Sequence, residues 1–257
     1  MDKEQFGRLF DMTGRVVIVT GGTRGIGRAL AEGYVAAGAK VVVASRKAEV
    51  CEETEQHLRA MGGEAIGVPT NLGELDSLKA LVQKTLDTFG GVDVLVNNGA
   101  NGIAVPFGAQ TPELWNKALD VNLRAPVFLV QEALPHLKQS RHAAVLNVLS
   151  PAAFLFSPMV SLYAIGKAGL LAATRAMAAE FAPFGIRVNA LSPGTIDTEM
   201  VRKSPPDMQE RLPKLQLLKR IASPDEMIGP AMLLTSDAGS FITGSVLFAD
   251  GGLVPPR

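Results

Sequence analysis

The sequence predicts an α/β protein built on one doubly wound, seven-stranded parallel sheet with helices on both faces. Three observations predict it. Seven short β-branched or aliphatic runs recur along the 257 residues with helical stretches between them, the alternation expected of parallel strands joined by helical crossovers. Several of these runs are apolar throughout instead of alternating, as strands covered on both faces must be. The composition is 47% hydrophobic but only 5% aromatic, with 26 glycines, which suits many small apolar residues packing helices against a buried sheet.

The strand runs lie at 16–19, 41–44, 65–68, 92–96, 145–149, 186–191 and 246–249. Between them, 26–37, 48–60, 74–89, 112–138 and 162–184 carry apolar residues at three- and four-residue spacing, the mark of amphipathic helices. Helix breakers fall at the joints: Gly38, Gly62-Gly63, Gly90-Gly91, and Pro183 with Gly185. The first dozen residues read as a short arm leading into the first strand. From 192 to 224 there is no strand pattern and there are five prolines, so this stretch is expected to be an insertion of short helices, with a mobile substrate lid at about 195–220. No internal repeat appears, and residues 1–257 form a single domain.

Charge and cysteine content exclude several classes of function. Lys+Arg and Asp+Glu both number 25, so no basic excess points to nucleic acid. A single cysteine, Cys51, cannot form an intrachain disulfide; with no apolar core in residues 2–15 and no apolar run of about 20 residues, the expectation is a cytoplasmic protein without membrane contact. No metal site is read. His57, His136 and His142 lack the context of a hydrolase, and no G-x-S-x-G elbow is present.

Directly after the first strand comes Thr20-Gly21-Gly22-Thr23-Arg24-Gly25-Ile26-Gly27, opening a helix. Glycines let backbone approach a pyrophosphate, and the helix start offers unpaired N–H groups and about half a positive charge. The spacing resembles the glycine motif of the short-chain dehydrogenase/reductase family, whose single Rossmann domain holds cofactor and substrate together. The second strand ends Ala44-Ser45-Arg46, with no carboxylate to bond the ribose hydroxyls of NAD. Arg46 and Arg24 instead offer two guanidiniums to the extra phosphate of NADP, so NADP(H) is expected in preference to NAD. Asn71, followed by Leu72, stands where the family places an aspartate near the adenine. Asn97-Asn98-Gly99-Ala100 is similar to the family's Asn-Asn-Ala-Gly with its last two residues exchanged.

Tyr163 and Lys167 are four apart in a helical stretch and so share one face. A free tyrosine has a pKa near ~10, and a neighbouring ammonium can draw it towards neutrality while also bonding the ribose. The family places such a pair after the fifth strand, with a serine about a dozen residues earlier; here Ser150 closes Asn147-Val148-Leu149-Ser150. The resemblance implies that Ser150 orients a carbonyl, Tyr163 moves its proton, and Asn122, mid-helix in Asp120-Val121-Asn122-Leu123, holds a water at a helix kink for proton exchange with Lys167. It also implies that Pro193, Gly194, Ile196 and Thr198 embrace the nicotinamide carboxamide. The resemblance spans residues 14–252.

The expected activity is NADP(H)-dependent hydride transfer between nicotinamide and a carbonyl or secondary alcohol. Residues 103–107, 151–159 and 195–218, prominent in Phe107, Phe154, Phe156, Met159 and Met200, are expected to wall the substrate, suggesting an apolar or 3-oxoacyl-type compound; steroid, sugar and quinone carbonyls stay open. An enoyl reductase conflicts with the four-residue Tyr–Lys spacing. Alternatives are an NAD-dependent alcohol dehydrogenase of the same family and a catalytically silent cofactor-binding regulator. The family's usual assembly, through the two long central helices and the C-terminal strand, implies a homotetramer.

Overall fold

A computed structural model describes residues 2–255, with the side chains of Lys3 and Met200 outside the described residues. The seven strands are β1 (Val16–Thr20), β2 (Lys40–Ser45), β3 (Glu64–Pro69), β4 (Val94–Asn97), β5 (Ala144–Val148), β6 (Arg187–Pro193) and β7 (Val246–Ala249). They form one sheet in the order β3-β2-β1-β4-β5-β6-β7, every neighbouring pair parallel. The helices are α1 (Lys3–Arg8), α2 (Gly25–Ala36), α3 (Ala48–Ala60), α4 (Leu75–Phe89), α5 (Pro112–Leu119), α6 (Ala125–Leu137), α7 (Ser161–Phe181), α8 (Glu199–Arg202), α9 (Pro206–Leu215) and α10 (Ile228–Thr235).

Side-chain alternation along the strands feeds two cores, one on each face. Val17 and Val19 of β1 pack with Leu30 and Tyr34 of α2, Leu58 of α3 and Ala231 of α10. Ile18 points the other way, into Leu78 and Leu81 of α4, Leu129 of α6 and Met177 of α7. Strand order reverses between β1 and β4, so the loops leaving these two strands part and open a crevice at the carboxyl ends of the sheet.

Three local features differ from the sequence expectations. The N-terminal arm contains α1, closed by a reciprocal capping box between Asp2 and Gln5. The segment 112–138 is not the one helix its periodicity predicts: α5 and α6 are separated by a π-helical turn, Asp120–Arg124, at the Asn122 kink that the resemblance implied. Pro126 explains the break, because it has no N–H to donate to the carbonyl of Asn122 four residues earlier and its ring crowds that carbonyl. The ladder resumes only after the Ala125 N–H has reached back to the Asp120 carbonyl. Finally, α10 has no periodic signal, since Ile-Gly-Pro-Ala-Met-Leu-Leu-Thr is apolar on nearly every side.

The stretch after β6 forms the short helices expected there, α8 and α9. It stands on a narrow base, where Ile196 and Ala222 form an isolated parallel bridge. Asp197 N–H donates to the Ala222 carbonyl at 2.9 Å and Ala222 N–H to the Thr195 carbonyl at 3.1 Å.

Candidate active site

The glycine loop follows from close packing between β1, α2 and the end of β4. Gly21 and Gly25 adopt φ of 62° and 51°, in the left-handed region that glycine enters without penalty. A Cβ on Gly27 would lie 2.2 Å from the Gly21 carbonyl oxygen and 2.4 Å from Asn98 Nδ2. Asn98 Nδ2 donates to the Thr20 and Gly21 carbonyls at 2.9 and 3.2 Å, and the Thr20 hydroxyl accepts from the N–H groups of Asn98 and Gly99 at 3.0 Å each. No side chain caps the N-terminus of α2. Its first-turn N–H groups therefore face the crevice as anion donors.

The exchanged Gly99-Ala100 pair has a steric reason. A Cβ on Gly99 would come within 2.5 Å of Leu72 Cδ1, so the leucine occupies the volume an alanine methyl would need. Asn71 is committed within its own turn: its Nδ2 donates to Glu74 at 2.7 Å and its Oδ1 accepts from Gly73 N–H at 3.1 Å. Its amide is thus spent on shaping the entry to α4.

At the other end of the crevice, Ser150 and Tyr163 line the cleft together, and the Ser150 hydroxyl acts on the Tyr163 phenol. Ser150 is held at the end of β5, its hydroxyl accepting from Ala152 N–H at 3.2 Å. Tyr163 stands on the first turn of α7. Lys167, 2% exposed, lies one turn further on, and its Nζ donates to the Val148 carbonyl at 2.6 Å. The ammonium sits 5.6 Å from the tyrosine ring centroid. Burial lowers Lys167 from its usual 10.5 to about 8. The phenol of Tyr163 is not brought towards neutrality here: burial pushes it up, opposed by the Ser150 hydroxyl. The causes acting on the phenol are burial and Ser150, so the lowering expected from sequence needs positive charge beyond what Lys167 supplies in this arrangement.

Asn122 lies behind this group, fully buried in the π-helical turn. Its Oδ1 accepts from Asn101 N–H at 3.0 Å and its Nδ2 donates to the Asn101 carbonyl at 2.9 Å. Close approach of α7 depends on Gly166, whose Cβ would lie 2.8 Å from Asn122 Cβ. Asn101 and Gln216 are site residues with no motif to announce them. Gln216, 2% exposed, accepts from Thr195 N–H at 3.0 Å and pins the end of α9 beside Gly194.

A single cleft of about 1200 Å³ joins the two ends. Every residue expected to contact cofactor lines it: Gly21, Thr23 to Gly27, Ser45, Arg46, Asn71, Leu72, Asn98 to Ala100, Tyr163, Lys167, Pro193, Gly194, Ile196 and Thr198. Ser150 lines it too, whereas Asn122 supports it from behind. The volume and the uncapped helix start fit a dinucleotide. The expected aromatic walls are placed differently. Phe107, Phe154, Phe156 and Met159 are not among the lining residues, and Phe154 packs edge-on against Phe248 with centroids 4.9 Å apart. The Met200 side chain lies outside the described residues. Among the described residues no group of His, Cys, Asp and Glu is arranged to hold a metal ion, and no helix is long and apolar enough to cross a membrane.

A nucleotide crevice at the strand-order reversal, with a Ser, Tyr and Lys group at one end, defines an oxidoreductase-type Rossmann protein. The chain belongs to the short-chain dehydrogenase/reductase family. Residues 21–254 match the family model described as enoyl-(acyl carrier protein) reductase. The chain is 37% identical over 246 residues to an L-rhamnose 1-dehydrogenase (NAD(P)(+)) of Azotobacter vinelandii, covering 93% of this chain and 96% of that one. It is 34% identical over 248 residues to glucose 1-dehydrogenase 2 of Bacillus subtilis, covering 95% and 96%. A crystal structure of a gluconate 5-dehydrogenase from Burkholderia cenocepacia, in complex with NADP and tartrate, superposes with a TM-score of 0.93 at 30% identity, covering 98% of this chain and all of that one. The protein is an NAD(P)-dependent oxidoreductase acting on alcohol and carbonyl groups.

Proposed function

We propose that the chain interconverts a polar secondary alcohol, of the sugar or sugar-acid class, and its carbonyl form, preferring NADP(H) and using Tyr163 as acid/base. The observation that carries the reaction is that Ser150, Tyr163 and Lys167 converge at one end of the cleft, with Lys167 buried one turn behind Tyr163 and fixed to the Val148 carbonyl. Bound nicotinamide supplies or accepts the hydride. The α2 N-terminus and glycine loop would hold the diphosphate, and Pro193, Gly194, Ile196 and Thr198 would hold the carboxamide. Arg46 and Arg24 receive the extra phosphate, which is the basis for NADP over NAD.

Ser150 Oγ orients the substrate oxygen, and the Tyr163 hydroxyl gives it a proton in reduction or takes one in oxidation. Lys167 sets the charge beside the phenol, to which oxidised nicotinamide, when bound, would add a second positive charge. Asn122 keeps the helix open at the point where protons pass towards Lys167. Residues 195–220 act as the lid. The substrate class rests on two supports: the aromatic side chains that suggested an acyl chain do not line the cleft, and the named relatives act on sugars and a sugar acid.

The test is turnover with NADP(H) and NAD(H) on aldoses, aldonates, simple ketones, 3-oxoacyl thioesters and enoyl thioesters, comparing wild type with Tyr163→Phe. The expected result is turnover of a sugar or aldonate that falls about 10²- to 10⁴-fold in the variant. Turnover confined to thioesters would overturn the substrate class. Tight dinucleotide binding without any turnover would support a regulator instead.

A further inference from the structure

The ion pairs at the cleft mouth concern a residue that no motif singles out. Arg24, offered above to the 2′-phosphate of NADP, is not a free guanidinium: its Nη1 donates to Glu199, the first residue of α8. Glu199 is also bonded by Lys203, the residue that closes α8. The contact is reinforced next door, where a Cβ on Gly25 would lie 3.2 Å from Thr198 Cγ2, so the start of the lid rests directly on the glycine loop. The carboxylates among the described lining residues are Glu199 and Asp120; Asp120 is paired with Arg124 at 3.1 Å. Glu199 is therefore the acid that competes for Arg24.

We infer that Glu199 is a cofactor-specificity residue: by holding Arg24 across the cleft it sets how much a 2′-phosphate strengthens dinucleotide binding. The inference rests on the nucleotide-binding reading above. Glu199 holds Arg24 through Nη1 alone, so a 2′-phosphate that takes this side of the guanidinium displaces the carboxylate and one that takes the other side bears its repulsion. NAD leaves the pair undisturbed, whereas the 2′-phosphate of NADP contends with it. The preference expected from Arg24 and Arg46 is accordingly smaller than two unencumbered arginines would give. Displacement also removes the ion pair between α8 and the glycine loop, leaving the Thr198–Gly25 contact alone to hold them, which links the extra phosphate to the position of the lid.

The experiment is calorimetric binding of 2′,5′-ADP and 5′-AMP to the intact protein, in wild type, Glu199→Gln, Arg24→Gln and the double variant, at low and high salt. Glu199→Gln keeps the shape and removes the charge. It is expected to tighten 2′,5′-ADP about three- to five-fold at low salt, the scale of one exposed ion pair, with the gain shrinking as salt screens it. Affinity for 5′-AMP should stay within about two-fold, and the gain should vanish when Arg24 is already Gln. A gain that persists in the Arg24→Gln background, or that is equal for both nucleotides, would overturn the inference. Equal binding of the two by wild type, with a 2′,5′-ADP preference appearing only in Glu199→Gln, would reject NADP preference while upholding the role of Glu199. Failure of either nucleotide to bind would reject both.

Discussion

Lys167 offers a test of the buried charge that is independent of turnover. In the folded chain burial lowers its ammonium from 10.5 to about 8, whereas in the unfolded chain it titrates near its ordinary value. Below pH 8 both states hold the proton, and the folded state bears the full cost of the buried charge, about 3 kcal/mol at roughly 1.4 kcal/mol per pKa unit. Between about 8 and 10.5 the unfolded state binds more protons than the folded one, so stability rises with pH. Lys167→Met removes both the charge and the bond to the Val148 carbonyl, losses and gains of similar size near pH 7 because a charged hydrogen bond contributes about 1.5–3 kcal/mol. The informative quantity is the difference between wild type and variant as a function of pH. From pH 7 to 9.5 wild type should gain about 2 kcal/mol on Lys167→Met, some 4–8 °C in Tm for a domain of this size. Urea or thermal denaturation at half-unit pH steps measures it, with other titrating groups cancelling between the two proteins. Parallel stability curves would show that Lys167 carries no burial penalty and would refute the reading of its ammonium as a buried charge.

Three further substitutions test the architecture around the cleft. Pro126→Ala restores the N–H that the Asn122 carbonyl lacks four residues on, so the π-helical turn should relax towards α, with Tm rising while kcat falls; an unchanged kcat would detach the turn from catalysis. Gly99→Ala drives a methyl to within 2.5 Å of Leu72 Cδ1 and should cost about 1 kcal/mol, with Leu72→Val restoring the lost Tm in the double variant; failure of that rescue would remove the steric reason for the exchanged pair. Gly27→Ala places its methyl 2.2 Å from a backbone oxygen that cannot step aside, so titration with NADP should show at least about ten-fold weaker binding; wild-type affinity would mean that the loop does not contact the diphosphate.

How much of this was legible in the sequence depends on the kind of interaction. The strands and the glycine loop were readable because hydrophobic period and backbone torsion are local properties: Val17, Ile18 and Val19 announce a strand buried on both faces, and Gly21 and Gly25 occupy torsions that other residues enter at a cost. Tyr163 and Lys167 were readable because helical spacing fixes their shared face, and Ser150 because a strand ends at it. The π-helical turn was present in the sequence as Pro126 four residues after Asn122, yet amphipathic period alone ran through it. Helix α10 escaped because a segment apolar on all sides has no period to detect.

What could not be read were contacts made by the fold across long separations. Arg24 and Glu199 are 175 residues apart and meet only because β6 and β1 end at the same edge of the sheet. Phe154, taken from sequence as a substrate wall, is turned onto Phe248 of β7 by the same strand order. Local chemistry thus located the reacting groups, whereas what surrounds them, and so what they select, was decided by which distant residues the strand order brought alongside. The residues that choose cofactor and substrate in this chain are accordingly to be sought at such crossings, Glu199 first, and not in the motifs themselves.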